Sequence, residues 1–114
     1  MKFSVIIPLW NEEKNVSELI QVISDSKLPK HGMDELILVE NGSSDNTRSL
    51  IEKHAHLHPW IVPVYLDQNH NYGGGIYEGC KRARSDILCY IPGDLQVMPE
   101  DILKVYQAFC SNKA

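Results

Sequence analysis

The chain has 114 residues, of which 43% are hydrophobic and 23% charged, and its formal net charge at pH 7 is −4. This length and composition fit one globular domain over residues 1–114 and exclude a low-complexity chain. The acidic balance argues against a nucleic-acid partner. No apolar stretch approaches the roughly 20 residues that span a bilayer, and an odd set of three cysteines suggests reduced thiols. We therefore expect a cytoplasmic domain and leave contact with the inner face of a membrane open.

The first half of the chain predicts two buried strands around a helix. Phe3–Leu9 is a continuous apolar segment rich in β-branched residues, as in a strand buried on both faces. Asn11 can cap the following helix, which places Glu12 and Glu13 in its first turn. The apolar spacing of this helix is amphipathic, with Val16, Leu19, Ile20 and Ile23 on one face. A second buried strand is predicted over Glu35–Glu40.

The next segments continue the alternation of helix and strand. A helix begins near Asp45, and a third strand over Trp60–Leu66 is expected to be short, because Pro59 precedes it and Pro63 interrupts it. The segment Asn71–Gly75 is a glycine-rich loop that opens a third helix through about Ala83. Asp86–Ile91 is predicted to be the fourth strand.

A last helix starts at Pro99, a residue that suits a first helical turn. The β-α-β-α-β-α-β-α order predicts an α/β fold with a mainly parallel sheet and helices on both faces. In such sheets the ligand lies beyond the carboxyl ends of the strands. Three polar segments follow strands one, two and four, namely residues 8–12, 40–44 and 92–96. Their convergence predicts a binding site at one edge of the sheet.

Two of the loops suggest binding of a nucleotide, although each has a simpler explanation. Glu40 ends a strand, where its carboxylate can accept hydrogen bonds from a base or a ribose, and Gly42 permits a tight turn. Alternatively, this segment provides only turn and cap chemistry. Gly73 and Gly75 could expose backbone N–H groups to an anion, or they could form only a flexible turn. The glycines match neither the Walker pattern nor the dinucleotide fingerprint.

Asp94 and Gln96 are the candidate metal ligands. They offer two oxygen atoms on one side of an extended segment after the fourth strand. Hard oxygen ligands suit Mg²⁺ or Mn²⁺, which would bridge the diphosphate of a bound nucleotide. An aspartate turn before the last helix is the alternative interpretation.

Taken together and in this order, these segments resemble family 2 glycosyltransferases with a GT-A fold, especially the dolichyl- and undecaprenyl-phosphate sugar transferases. The similarity covers nearly the whole chain. It rests on residues 4–8 with 11–13, residues 39–47, residues 71–75 with Gly79 and Ala83, and residues 86–87 with 93–96 and 99–100.

The resemblance implies a role for each matching residue. Pro8, Trp10 and Glu12 fall where the family holds the nucleoside, and Glu40 stands where an aspartate usually contacts base or ribose. Asp94 matches the second aspartate of the Asp-x-Asp metal motif. Gln96 matches a further metal ligand of the polyprenyl-phosphate branch. The nucleotide-sugar site implied by the family also includes Gly42, Gly73 and Gly75.

The implied activity is transfer of a sugar from a UDP- or GDP-sugar, with inversion and with Mg²⁺ or Mn²⁺, to polyprenyl phosphate or a glycan. Two departures weaken the implied metal site: Pro92 replaces the first aspartate of the motif, and Asn41 replaces the second residue of the usual Asp-Asp-Gly-Ser. The catalytic base is expected beyond Ala114. We expect a truncated part of a full transferase domain or a short gene product, and a homodimer through the apolar surface left at the sheet.

Two other classes share these features. A non-catalytic nucleotide-binding or assembly module would keep the fold without transfer of a sugar. A flavodoxin-like or response-regulator-like domain has the same strand and helix order, but it predicts a lysine at a late strand end, and this sequence has none there.

Overall fold

The computed structural model describes residues 2–94 and 99–112. Strands and helices alternate along these residues. The elements are β1 (Phe3–Leu9), α1 (Val16–Asp25), a 3₁₀ turn (Leu28–Lys30), β2 (Met33–Asn41), α2 (Thr47–Leu57), β3 (Ile61–Leu66), α3 (Asn71–Arg82), β4 (Ile87–Tyr90) and α4 (Pro99–Asn112).

The four strands form one parallel sheet in the order β3-β2-β1-β4. The central strand β1 pairs with β2 on one side and with β4 on the other, so that Ile6 lies between Ile37 and Tyr90. The chain therefore builds the sheet outward through β2 and β3, and then returns across β1 to add β4. The predicted parallel α/β fold is confirmed.

Helices cover both faces of the sheet, because alternate residues of the central strands point to opposite sides. One face packs against α1, α2 and α4, and its strand residues include Val5, Ile7, Leu36 and Leu38. The other face packs against α3, through Ile6, Ile37, Val39 and Val64. All seven residues of β1 are buried, which explains why its sequence is a continuous apolar segment.

Two predicted helix starts are wrong. Helix α1 begins at Val16, so Glu12 and Glu13 lie before it, and Asn11 is not its cap but a loop residue with a φ of +51°. Helix α3 begins at Asn71 and already contains the three glycines that were predicted to form a loop. In both places long-range hydrogen bonds hold the loop before the helix.

Candidate functional site

A cleft lies at the carboxyl ends of β1 and β4, where the order of the strands reverses. Parallel α/β sheets bind their ligands at such a switch point, beyond the carboxyl ends of the strands. The cleft has a volume of about 310 Å³ and is lined by Pro8, Trp10, Glu12, Asn41, Asn69, Asn71, Tyr72, Pro92, Gly93 and Asp94.

The structure brings four of the predicted site residues together in this cleft: Pro8, Trp10, Glu12 and Asp94. Trp10 is 52% exposed and presents a large aromatic surface at the wall. Gln96 lies outside the described residues. Glu40, Gly42, Gly73 and Gly75 are not among the lining residues.

Glu40 is 2% exposed and does not line the cleft. Its Oε1 accepts a hydrogen bond from the backbone N–H of Ser43 at 2.8 Å, which holds the turn after β2. Gly42, in the same turn, has a φ of +75°. A Cβ at Gly42 would lie 2.4 Å from the carbonyl carbon of Gln68, so glycine is needed both for the turn and for the approach of the next loop.

The glycines of α3 have different surroundings. Gly73 has no neighbouring atom within 4 Å of an added Cβ, whereas one at Gly75 would lie 3.0 Å from both Pro8 Cβ and Asn41 Nδ2. Gly75 therefore lets the first turn of α3 pack directly against the ends of β1 and β2. Neither Gly73 nor Gly75 is among the lining residues.

The loop after β1 is fastened to the loop after β2 by hydrogen bonds between backbone and side chains. The N–H of Asn11 donates to Ser43 Oγ at 2.9 Å, and Asn11 Oδ1 accepts the N–H of Ser44 at 2.8 Å. The N–H of Glu12 donates to Thr47 Oγ1 at 2.9 Å. These bonds satisfy loop N–H groups that have no helix or sheet partner, and they place Trp10 and Glu12 at the cleft.

Asp45 also connects the loop after β1 to the loop after β2. Its Oδ1 accepts hydrogen bonds from the N–H of Thr47 at 2.9 Å and from Thr47 Oγ1 at 2.6 Å, and its Oδ2 accepts the N–H of Glu13 at 3.3 Å. Burial by itself would raise the pKa of Asp45, but the hydrogen bonds from Thr47 and Glu13 outweigh it and lower the pKa below its usual value. The carboxylate is therefore ionised at neutral pH and holds both loops.

Charge in the cleft is negative. Glu12 and Asp94 line it, and no lysine or arginine is among the described lining residues. Burial, followed by the influence of Tyr90, Asp94 and Cys89, raises the pKa of Tyr72, so its phenol keeps its proton. An anionic ligand in this cleft would find hydroxyl and amide donors but would need a cation to offset the carboxylates.

The lining residues supply some, but not all, of the ligands of a divalent metal. The described residues contain no cluster of three or more histidine, cysteine or acidic side chains that could hold an ion by themselves. Mg²⁺ and Mn²⁺, however, are often held by one or two carboxylates, with substrate phosphates and water supplying the other ligands. Asp94 and Glu12 provide that number of carboxylates in one cleft. The donor set therefore fits a metal that arrives with a diphosphate.

Four lining residues, Asn41, Asn69, Asn71 and Tyr72, were not among the predicted site residues. Asn41 lies in the predicted segment 40–44, and Asn71 and Tyr72 lie in the predicted segment 71–75, but no binding role was predicted for them. Asn69 and Asn71 follow β3, whose carboxyl end lies at the same edge as the other strands. The rule that pointed to the loops after strands one, two and four applies equally to strand three and would have identified them.

The fold is a parallel α/β sheet with a cleft at its switch point, where such sheets bind their ligands, and comparison with known proteins specifies the family. The chain belongs to glycosyl transferase family 2, whose family model matches residues 4–114.

Several curated relatives are named undecaprenyl-phosphate 4-deoxy-4-formamido-L-arabinose transferase. The protein from Proteus mirabilis is 33% identical over 102 residues, which cover 89% of this chain and 31% of that protein. The one from Shewanella sediminis is 32% identical and is covered to 30%. The chain thus spans about a third of the length of these relatives.

Solved structures give the same fold. S. aureus TarS 1–349 in complex with UDP-GlcNAc superposes with a TM-score of 0.79 and is 28% identical, over 97% of this chain and 31% of that one. The mannosyltransferase PcManGT from Pyrobaculum calidifontis, in complex with GDP-Man and Mn²⁺, gives a TM-score of 0.74 at 22% identity, over 82% of this chain and 27% of that one. No helix among the described residues is long and apolar enough to cross a membrane.

Proposed function

We propose that this chain is the nucleotide-sugar-binding part of an inverting glycosyltransferase, and that its donor is a UDP-sugar. The main support is the cleft at the switch point of the sheet, lined by Pro8, Trp10, Glu12 and Asp94. UDP is favoured over GDP because TarS, which is 28% identical, was solved with UDP-GlcNAc and with UDP. The likeness to the GDP-Man complex is lower in identity and bears only on the fold.

The predicted residues divide into two groups. Trp10, with its exposed ring, and Pro8 and Glu12 would hold the nucleoside. Glu40, Gly42, Gly73 and Gly75 would act by shaping the loops and the first turn of α3, since none of them lines the cleft.

Asp94 would hold Mg²⁺ or Mn²⁺ together with the donor diphosphate, with Gln96 as the second predicted ligand. The metal would supply positive charge at a departing nucleoside diphosphate. The acidic character of the cleft supports this assignment, because a diphosphate beside two carboxylates would otherwise be repelled. The hydroxyl of Tyr72, which keeps its proton, would donate a hydrogen bond to the same anion.

Polyprenyl phosphate is the acceptor class that we propose, on the strength of the names of the curated relatives; a glycan is the alternative. Such an acceptor would bring a cytoplasmic protein to the inner face of the membrane. We also propose that two copies associate through the edge of the sheet at β4.

Calorimetry with UDP tests the donor site directly. We expect UDP to bind in the presence of Mn²⁺ and to bind about tenfold or more weakly when Mn²⁺ is removed, which corresponds to about 1.4 kcal/mol. Asp94→Asn should lose most of the effect of Mn²⁺. Asp86→Asn, which makes the same change at the opposite end of β4, should behave as wild type. Absence of UDP binding with and without Mn²⁺ would refute the proposal.

A non-catalytic nucleotide-binding module is the second candidate, and Pro92 favours it. This residue lines the cleft where the resembled metal motif has an aspartate, so one acidic ligand is absent. Incubation with UDP-sugars and undecaprenyl phosphate separates the two candidates. Transfer of the sugar supports the enzyme, whereas UDP binding without any transfer supports the module.

A further inference from the structure

Asn41 uses both ends of its side-chain amide to hold the loop between β3 and α3. It is the last residue of β2 and is 3% exposed. Its Oδ1 accepts a hydrogen bond from the N–H of His70 at 2.9 Å, and its Nδ2 donates to the carbonyl oxygen of Asn71 at 2.9 Å. One neighbour is a backbone donor and the other a backbone acceptor, so the orientation of the amide is fixed.

The loop held in this way forms one wall of the cleft. Asn69 and Asn71 both line it. Asn71 has a φ of +61°, and its N–H donates to Asn69 Oδ1 at 2.6 Å. This left-handed residue at the start of α3 costs conformational energy in an asparagine, though less than in most residues. The two bonds from Asn41 are contacts that can offset the cost.

At neutral pH an amide can make both bonds, whereas an ionised carboxylate cannot. A carboxylate at this position would accept from His70 but would place an oxygen against the carbonyl oxygen of Asn71, where a donor is required. It would also add a third negative charge beside Glu12 and Asp94. The resemblance to family 2 leads one to expect an aspartate here, so this departure from the pattern has a physical consequence.

We propose that Asn41 is a positioning residue of the nucleotide-sugar site. Its amide sets the position of the β3–α3 loop, and thereby the width of the cleft that receives the nucleotide. The inference rests on the proposed function, because it assigns the held loop to the site that binds UDP. Asn41 acts through Asn69 and Asn71, and it requires no contact of its own with the ligand.

Asn41→Asp tests the proposal with almost no change of shape. We expect this variant of the 114-residue chain to bind UDP with Mn²⁺ about tenfold more weakly than wild type at pH 7.5. The reason is that the ionised carboxylate cannot make the hydrogen bond that Asn41 Nδ2 donates to the carbonyl oxygen of Asn71. Asn46→Asp makes the same change at an exposed residue before α2 and should bind within about twofold of wild type. Circular dichroism checks that both variants are folded.

Lowering the pH should restore UDP binding to Asn41→Asp. A variant that binds weakly because of a general loss of packing would not recover in this way. A buried carboxyl beside a carbonyl oxygen favours its protonated form, which can donate a hydrogen bond to that oxygen. At pH 5.0, relative to wild type at the same pH, Asn41→Asp should recover most of its deficit. Asn41→Ala has no group to protonate, so its deficit should persist.

Amide hydrogen exchange separates the two bonds. The N–H of His70 should stay protected in Asn41→Asp, which keeps the acceptor, and should exchange faster in Asn41→Ala, which loses it. If wild type fails to bind UDP, both the proposed function and this inference are refuted. If wild type binds and Asn41→Asp binds equally well at pH 7.5, or shows the same deficit at both pH values, only the inference about Asn41 is overturned.

Discussion

At the scale of single residues, Gly42 is constrained both by its own backbone and by the neighbouring loop. Its φ of +75° is disfavoured for residues with a side chain, and an added Cβ would lie 2.4 Å from backbone of the β3–α3 loop. Left-handed backbone alone costs roughly 1–2 kcal/mol, and the clash with backbone atoms, which cannot rotate away, adds to this. The residue thus serves the turn and the neighbouring loop at once.

We predict that Gly42→Ala lowers the free energy of unfolding by more than about 2 kcal/mol, as measured by urea denaturation. Gly73→Ala is the matched control, because its Cβ would meet no atom within 4 Å. Within a helix this change should raise stability by up to about 1 kcal/mol. Equal effects of the two substitutions would contradict the assigned role of Gly42.

We expect His54 to make the free energy of unfolding depend on pH. Its Nδ1 is buried without a hydrogen-bond partner among the described residues, and its Nε2 lies 3.0 Å from Ser17 Oγ on α1. Burial, followed by the charges of His58 and Lys53, lowers the pKa of His54 below its usual 6.5. The unfolded chain therefore takes up the proton at a higher pH than the folded chain, and protonation favours unfolding.

The free energy of unfolding should thus fall as the pH drops through 6.5, and the fall should level off below the lowered pKa of the folded state. Urea denaturation at pH 8.0 and 5.5 measures the loss. His54→Leu removes the titrating ring, so its loss over the same interval should be smaller than that of wild type. The same loss in both proteins would assign the effect to other groups.

At the scale of elements, Thr47 connects the first turn of α2 to the loop after β1. It is fully buried, its hydroxyl donates to Asp45, and the same oxygen accepts the N–H of Glu12. Thr47→Val keeps the shape but leaves the N–H of Glu12 without this acceptor. A fully buried donor that loses its partner costs about 1–3 kcal/mol, and the N–H of Glu12, which is partly buried, should cost about 1 kcal/mol.

We therefore expect Thr47→Val to lower the free energy of unfolding by that amount and to speed the exchange of the Glu12 amide proton. Ser49→Ala, on the same helix, removes an exposed hydroxyl that donates to the carbonyl oxygen of Asn46. Its effect should stay within about 0.5 kcal/mol. Unchanged exchange at Glu12 in Thr47→Val would show that the two loops are held together by other contacts.

The strands and their parallel pairing could be predicted because their signals are local: buried apolar segments alternate with amphipathic ones, and connections of helical length favour parallel pairing. The order of the strands in the sheet was not predicted. The starts of α1 and α3 could not be predicted in this way. Asn11 is bonded to Ser43 and Ser44, more than thirty residues away in sequence, and Gly75 packs against Pro8. Contacts of this kind leave no periodic pattern in the sequence.

The same limit applies to the site. Pro8, Trp10, Glu12 and Asp94 could be placed from their positions after strands, and the structure brings them into one cleft. Asn41 holds the β3–α3 loop through hydrogen bonds to His70 and Asn71, which lie 29 and 30 positions later in the sequence. An asparagine after a strand has the same appearance in sequence whether it binds a ligand, caps a turn or holds another loop.

At the scale of the whole molecule, β4 forms one edge of the sheet and pairs only with β1 within residues 2–94 and 99–112. Leu88 and Tyr90 on this strand are 40% and 58% exposed, and Val105 on α4 is 69% exposed. These residues belong to an apolar groove of about 450 Å³. Exposed edge strands with apolar side chains favour pairing with another chain. A second copy would meet this edge across a two-fold axis, with the same surface on both sides.

We predict that sedimentation equilibrium shows the mass rising with concentration from 13.0 kDa toward twice that value. Leu88→Lys should abolish the increase, because charge on an edge strand opposes pairing. Leu57→Lys places the same charge at a leucine that is 63% exposed on α2, away from the edge, and should associate as wild type does. If wild type stays at the monomer mass at the highest concentrations, or if both lysine variants lose association equally, the β4 edge is not the surface through which two copies meet.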